Sequence, residues 1–126
     1  MHMPHVVPTI VVSRPGVMQQ ALRTSLSACP AIEVLTSAGD GLTALKQIEA
    51  HHPRLVVIDA NLLPEESEAL IAAVKTCEAN ARCLVFVQSS RDRARMVAAG
   101  ADAVMLRDSP ADELQVVLAR LIVFKP

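Results

Sequence analysis

Five short runs rich in aliphatic and β-branched residues recur along the chain, at residues 9–13 (TIVVS), 32–37 (IEVLTS), 55–59 (LVVID), 83–87 (CLVFV) and 103–106 (AVML). Between them lie segments with helical spacing of apolar residues. Met18, Leu22 and Ser25/Leu26 share one face, Leu42, Leu45 and Ile48 a second, and Leu70, Val74 and Cys77 a third. The segment RDRARMVAAG reads as a shorter fourth helix capped by Gly100. The fifth helix has the clearest start: Ser109 as N-cap, Pro110 at the first helical position, and Asp112 and Glu113 in the first turn. Leu114, Val117/Leu118 and Leu121 form its buried stripe.

Parallel neighbours in a sheet need crossover connections long enough to hold a helix. Strict alternation therefore predicts one α/β domain, a five-stranded parallel sheet with helices on both faces. The first, third and fourth runs are apolar without alternation, as central strands covered on both sides are. A chain of 126 residues suits one domain. The expected layout is a flexible tail over residues 1–8, a single domain over 9–124, and no second domain. The His residues of the opening MHMPH belong to the tail rather than to a metal site.

Composition excludes several function classes. With 52% hydrophobic but only 2% aromatic residues, and no Trp or Tyr, the chain has little with which to stack bases. Twelve Lys+Arg against 13 Asp+Glu give a net charge of -1 and no broad basic field, so direct nucleic-acid binding by this segment is not expected. Cys29, Cys77 and Cys83 are odd in number and lack metal-site spacing, which suits a reducing cytoplasm. No apolar run reaches the ~18 residues of a membrane span, and no signal-peptide pattern opens the chain. There is no Gly-rich phosphate loop, no nucleophile with a paired base and no cofactor motif, so neither an enzyme nor a resident cofactor is expected.

Ligands of such sheets gather at the carboxyl ends of the strands, near the switch point of the topology. Asp59 ends the third strand, and a carboxylate at the end of a buried strand needs a cation, a metal or several hydrogen-bond donors. Ser13 and Arg14 end the first strand, Ser89 and Ser90 follow the fourth, and Arg107 follows the fifth. A strand order of 2-1-3-4-5 would bring the first, third and fourth of these ends together. An Arg14 guanidinium paired with Asp59 is the expected solution.

These parts resemble the receiver domains of bacterial response regulators, most closely the NarL/FixJ-like branch of two-component systems. The resemblance rests on IVVSRPGVMQQALRTSL, IEVLTSAGDGLTALKQI, HPRLVVIDANLLP and GADAVMLRDSP, which together cover nearly the whole chain. Pro64 lies one residue later than in the commonest family spacing. The resemblance implies a flavodoxin-like (βα)5 fold. It implies that Asp59 is the phosphoacceptor, with Ser89, Ser90 and Arg107 as phosphoryl contacts. A histidine kinase, a DNA-binding output domain or a dimer mate would be the partners, and Mg²⁺ would be the ion of a working site.

The sequence departs from the family pattern at the acidic pair that would hold this ion, whose positions carry Ser13 and Arg14. Asp59 and Asn61 are the remaining weak candidates for ligands. Arg107 replaces a lysine, Val104 stands where an aromatic switch residue is usual, and the fourth helix is short. The expected function is therefore an atypical receiver that signals by protein contact, with impaired Mg²⁺-dependent phosphorylation. A conventional phosphorylatable switch and a small-molecule-binding domain of the same fold are the alternatives. Arg91, Arg93 and Arg95 read as a solvated helix face, His51 and His52 as residues suited to a helix C-terminus, and Cys29 and Cys77 as small core residues.

Overall fold

Leu55, Val56, Val57 and Ile58 are all fully buried, so both faces of this segment are covered. It is the central strand of the computed structural model, which describes residues 6–122. The elements are β1 (Val7–Val12), α1 (Val17–Ser27), β2 (Ile32–Ala38), α2 (Gly41–His51), β3 (Leu55–Ile58), α3 (Pro64–Cys77), β4 (Arg82–Val87), α4 (Arg91–Ala99), β5 (Ala103–Leu106) and α5 (Ala111–Leu121). All strand pairs are parallel, in the order β2-β1-β3-β4-β5. The alternation predicts the parallel sheet, and the order is the flavodoxin-like one that the resemblance implies. The edge strand β2 shows the mixed burial of a half-covered strand, with Glu33 and Leu35 exposed.

Because successive strand side chains point to opposite faces, the sheet separates two cores. Ile10, Val12, Val56, Ile58 and Val85 pack under α2, α3 and α4, where Ala44, Ile48, Leu70, Ile71, Val74 and Met96 close the layer. Val11, Val57, Leu84 and Met105 pack under Leu26 of α1 and Leu114 and Leu118 of α5. Each fully buried Leu, Ile or Val contributes roughly 1.5–3 kcal/mol of transfer free energy. These two layers are aliphatic apart from Phe86, which packs against the second.

The structure differs from expectation in several places. Val7 and Pro8 belong to β1 and not to a tail, since Val7 is buried and its N–H donates to Ala31 O at 2.7 Å. Residues 1–5 and 123–126, the rest of the expected tail and the far domain boundary, lie outside the described residues. Pro110 is the extended N-cap of α5 and Ser109 lies in the preceding turn, so the helix begins one residue later than read. On α2, Ile48 and in part Leu45 pack on the sheet as read, but Leu42 is 73% exposed and Ala44 takes its place. Met18 of α1 is also exposed.

On α3 the buried stripe is Ser67, Leu70, Ile71 and Val74, so it ends one turn before the exposed Cys77. Cys29 is not helical; it sits half-buried in the turn after α1. Arg91 and Arg93 are exposed as read, but Arg95 is only partly so. It bridges α4 to α3 through Glu68 at 2.6 Å, with Glu65 and Asp92 nearby, and this partner holds the Glu68 carboxyl below its usual range. His52, left-handed at the end of α2, pairs with Glu78.

Away from the strand ends that carry function, Asp102 ties β4, β5 and α3 together. Its carboxylate accepts the Cys83 N–H at 2.7 Å and the Lys75 ammonium, while Lys75 also donates to Ala81 O at 2.9 Å. Gly100 caps α4 at a φ of 114°, and a Cβ there would also press on Lys75 at 3.3 Å. Burial beneath this clasp pushes the Cys83 thiol from its ordinary value near 9 up to about 12, with Lys75 pulling in the opposite direction. The unfolded chain therefore loses the thiol proton first as pH rises. The contribution is fully present below pH 9 and declines between about pH 9 and 12. Urea midpoints measured across that window should fall with pH, and Cys83→Ala, though less stable overall, should show a shallower fall.

Candidate functional site

The register that pairs Val12 with Ile58 carries the next two residues, Ser13 and Asp59, out of the sheet side by side. The Asp59 N–H donates to Val12 O at 2.9 Å, and the Ser13 N–H donates to Ala38 O at 2.9 Å, so both backbones are fixed from the neighbouring strand. By strand alternation both side chains belong to the α1/α5 side of the sheet. Ser13 is fully buried and Asp59 is 5% exposed.

Hydrogen-bond donors supply what the Asp59 carboxylate needs. The Ser13 hydroxyl donates to Oδ2 at 2.7 Å and the Ala60 N–H donates to Oδ1 at 2.7 Å. Asn61 Nδ2 in turn donates to Ser13 Oγ at 3.1 Å, giving a relay from amide to hydroxyl to carboxylate. The Gln19 amide donates to Ser13 O at 2.7 Å and steadies the loop into α1.

The expected ion pair between Arg14 and Asp59 does not form. Adjacent residues leaving a strand point to opposite sides, so Ser13 takes the place beside Asp59 and Arg14 turns toward α2 and α3. Its guanidinium donates to Glu66 Oε1 at 3.0 Å and to Gly39 O at 3.4 Å, and its N–H donates to Asn61 Oδ1 at 3.1 Å. Glu66 Oε2 accepts the Gly41 N–H at 2.9 Å, at the first residue of α2. Asp40 caps the same helix through the N–H and hydroxyl of Thr43, which hold its carboxyl below the usual range. Gly39 fits here for want of a side chain, since a Cβ would lie 3.2 Å from Pro15 Cδ. Arg14 thus fastens the loops after β1 and β2 to the start of α3.

The other expected residues are only partly brought together. Arg107 leaves β5 with its N–H on Val87 O at 2.8 Å, and it lines with Asp59 a cavity of about 180 Å³ between α1 and α5. Ser89 and Ser90 do not join them. They stand exposed at the start of α4, where their carbonyls accept the Asp92 and Arg93 N–H groups. Since Val85 is level with Ile58, the residue level with Asp59 is Phe86, and Ser89 lies three positions farther on. The Gln88 amide reaches across instead, donating to Ala60 O at 3.0 Å. Val104 is half-buried against the α2–α4 core. Phe86 and Gln88 were missed by sequence reading, although Phe86 is one of only two phenylalanines in the chain.

Mg²⁺ takes near-octahedral oxygen ligands and is usually held by at least one free carboxylate. These residues do not fit it. Both Asp59 oxygens accept protein hydrogen bonds, Asn61 Oδ1 accepts the Arg14 N–H, and Ser13 and Arg14 bring no carboxylate. Among the described residues no three His, Cys, Asp or Glu side chains are placed to hold a metal ion. Ser13→Ala would leave Asp59 Oδ2 buried without its donor, and should cost about 1–3 kcal/mol by urea denaturation. Arg14→Ala breaks a pair whose arginine is 47% exposed, and should cost under about 1 kcal/mol in the same measurement.

No family sequence model and no curated protein sequence matches the chain. Solved structures do. The signal receiver domain of the response regulator NarL from Mycobacterium tuberculosis superposes with a TM-score of 0.82 at 24% identity, over 96% of this chain and 100% of that one. A LuxR-family two-component response regulator from Aurantimonas sp. SI85-9A1 gives 0.82 at 22% identity, over 92% of this chain and 85% of that one. The promoter-bound response regulator RcsB from Salmonella enterica serovar Typhimurium gives 0.81 at 13% identity, over 93% of this chain and 60% of that one. With five parallel strands in the order 2-1-3-4-5 and these neighbours, the chain has the fold of response-regulator receiver domains.

Proposed function

We propose that this domain is an atypical receiver of a bacterial two-component system, a cytoplasmic and non-enzymatic module that signals through protein contacts. Mg²⁺-dependent phosphorylation of Asp59 is impaired in this reading. The observation that carries it is the Ser13 hydroxyl on Asp59 Oδ2 at 2.7 Å. A neutral donor occupies the place of an acidic ligand, and the second pair position, Arg14, is engaged by Glu66.

Charge balance supports the same conclusion. A phosphoryl group adds about −1.5 to −2 charges near neutral pH. Of the expected phosphoryl contacts, only Arg107 shares a cavity with Asp59, and it offers one positive charge. Without a divalent ion the developing charge is left largely uncompensated. The loops that would have to rearrange around a phosphoryl group are also cross-tied, through Arg14 to Glu66 and through Glu66 to Gly41.

Output then depends on which protein surface is presented rather than on a charge added at Asp59. The partners of this reading are an output domain or a dimer mate, with a histidine kinase engaged only if the site accepts a phosphoryl group. The match to 60% of the promoter-bound RcsB chain supports an output domain as one partner class. Incubation with Mg²⁺ and acetyl phosphate, followed by intact mass spectrometry, should leave the mass unchanged. One added phosphoryl group that disappears in Asp59→Asn would overturn the proposal and restore the conventional switch.

A further inference from the structure

The cavity shared by Asp59 and Arg107 extends below the strand ends, between α1 and α5. Its body is apolar, formed by Met18, Leu22, Phe86, Met105 and Leu114, while Arg107 stands at its polar side. The Arg107 side chain is exposed and forms no ion pair or hydrogen bond with any described residue. Asp59 is 5% exposed and its two oxygens are engaged by Ser13 and Ala60, so Arg107 is the accessible charge. Met18 is itself 41% exposed, which leaves a soft, adaptable apolar lip on α1. A mostly apolar cavity with a few polar groups, here Arg107, Asp59, Ser25 and Ser109, is the usual form of a small-ligand site.

We propose that this cavity binds a small amphipathic organic acid, its carboxylate on the Arg107 guanidinium and its apolar body against Phe86, Met105 and Leu114. Charge complementarity selects the class. A guanidinium offers a planar fork to a carboxylate, and Phe86, Met105 and Leu114 offer a hydrocarbon body an apolar wall. The carboxylate turns away from Asp59, which would repel it, and toward the Arg107 guanidinium, and this fixes the orientation of the ligand. Binding would set the spacing of α1 and α5 and so change the surface shown to a partner. The site does not depend on whether Asp59 accepts a phosphoryl group, so it can stand or fall separately from the proposed function.

Octanoate and neutral octanol serve as probes, read by NMR of methionine methyl groups in the full chain without Mg²⁺ or phosphodonor. Octanoate should shift the Met18 and Met105 methyl signals saturably, and should bind about tenfold more tightly than octanol. Arg107→Gln should remove that preference. Ala21→Leu, which narrows the cavity from an exposed position on α1, should weaken both probes. No saturable shift at Met18 and Met105, or an unchanged octanoate preference in Arg107→Gln, would overturn the assignment.

Discussion

The hydrogen bond from the Ser13 hydroxyl to Asp59 Oδ2 joins the side chains that leave the ends of the neighbouring strands β1 and β3. A buried carboxylate left without donors or a cation carries a desolvation penalty of several kcal/mol. Parallel register places the hydroxyl where it can meet that requirement, and the Ala60 N–H meets the rest. Asn61 completes the arrangement by donating to Ser13 Oγ and accepting from the Arg14 N–H. The carboxylate is thus held by short-range donors built from backbone and neutral side chains.

The two arginines near this cluster have separate roles. Arg14 is drawn away to Glu66 and Gly39 and fastens two loops to α3, which gives it a positioning role rather than an electrostatic one at Asp59. Arg107 is left with its charge available beside an apolar cavity. A cationic group thus stands at the carboxyl ends of the strands, where this class of sheet places its ligands.

Much of the fold was legible because the strand runs are short, aliphatic and separated by helical spacing, and because the doubly buried strands β1, β3 and β4 lack alternation. Asp59 was legible for the same reason, as a lone carboxylate at the end of one such run. The direction of Arg14 was not. Charge complementarity suggested Asp59 as its partner, but strand alternation sends neighbouring residues to opposite sides, and Glu66 was waiting on the other one. Helix faces were read less well where an apolar residue lay in a first turn, as with the exposed Leu42 and Met18. Ser89 and Ser90 were chosen for their hydroxyls, yet the strand register puts Phe86 level with Asp59.

Ser13 supplies the donor at Asp59 and, in the proposed reading, stands where a cation would need an acidic ligand. The most direct test is a Mg²⁺ titration followed at the Ala60 amide by NMR, in the wild type and in Ser13→Asp. The wild type should show no saturable shift, while Ser13→Asp, which sets a second carboxylate beside Asp59, should gain one. Saturable Mg²⁺ binding at Ala60 in the wild type, abolished by Asp59→Asn, would contradict the account.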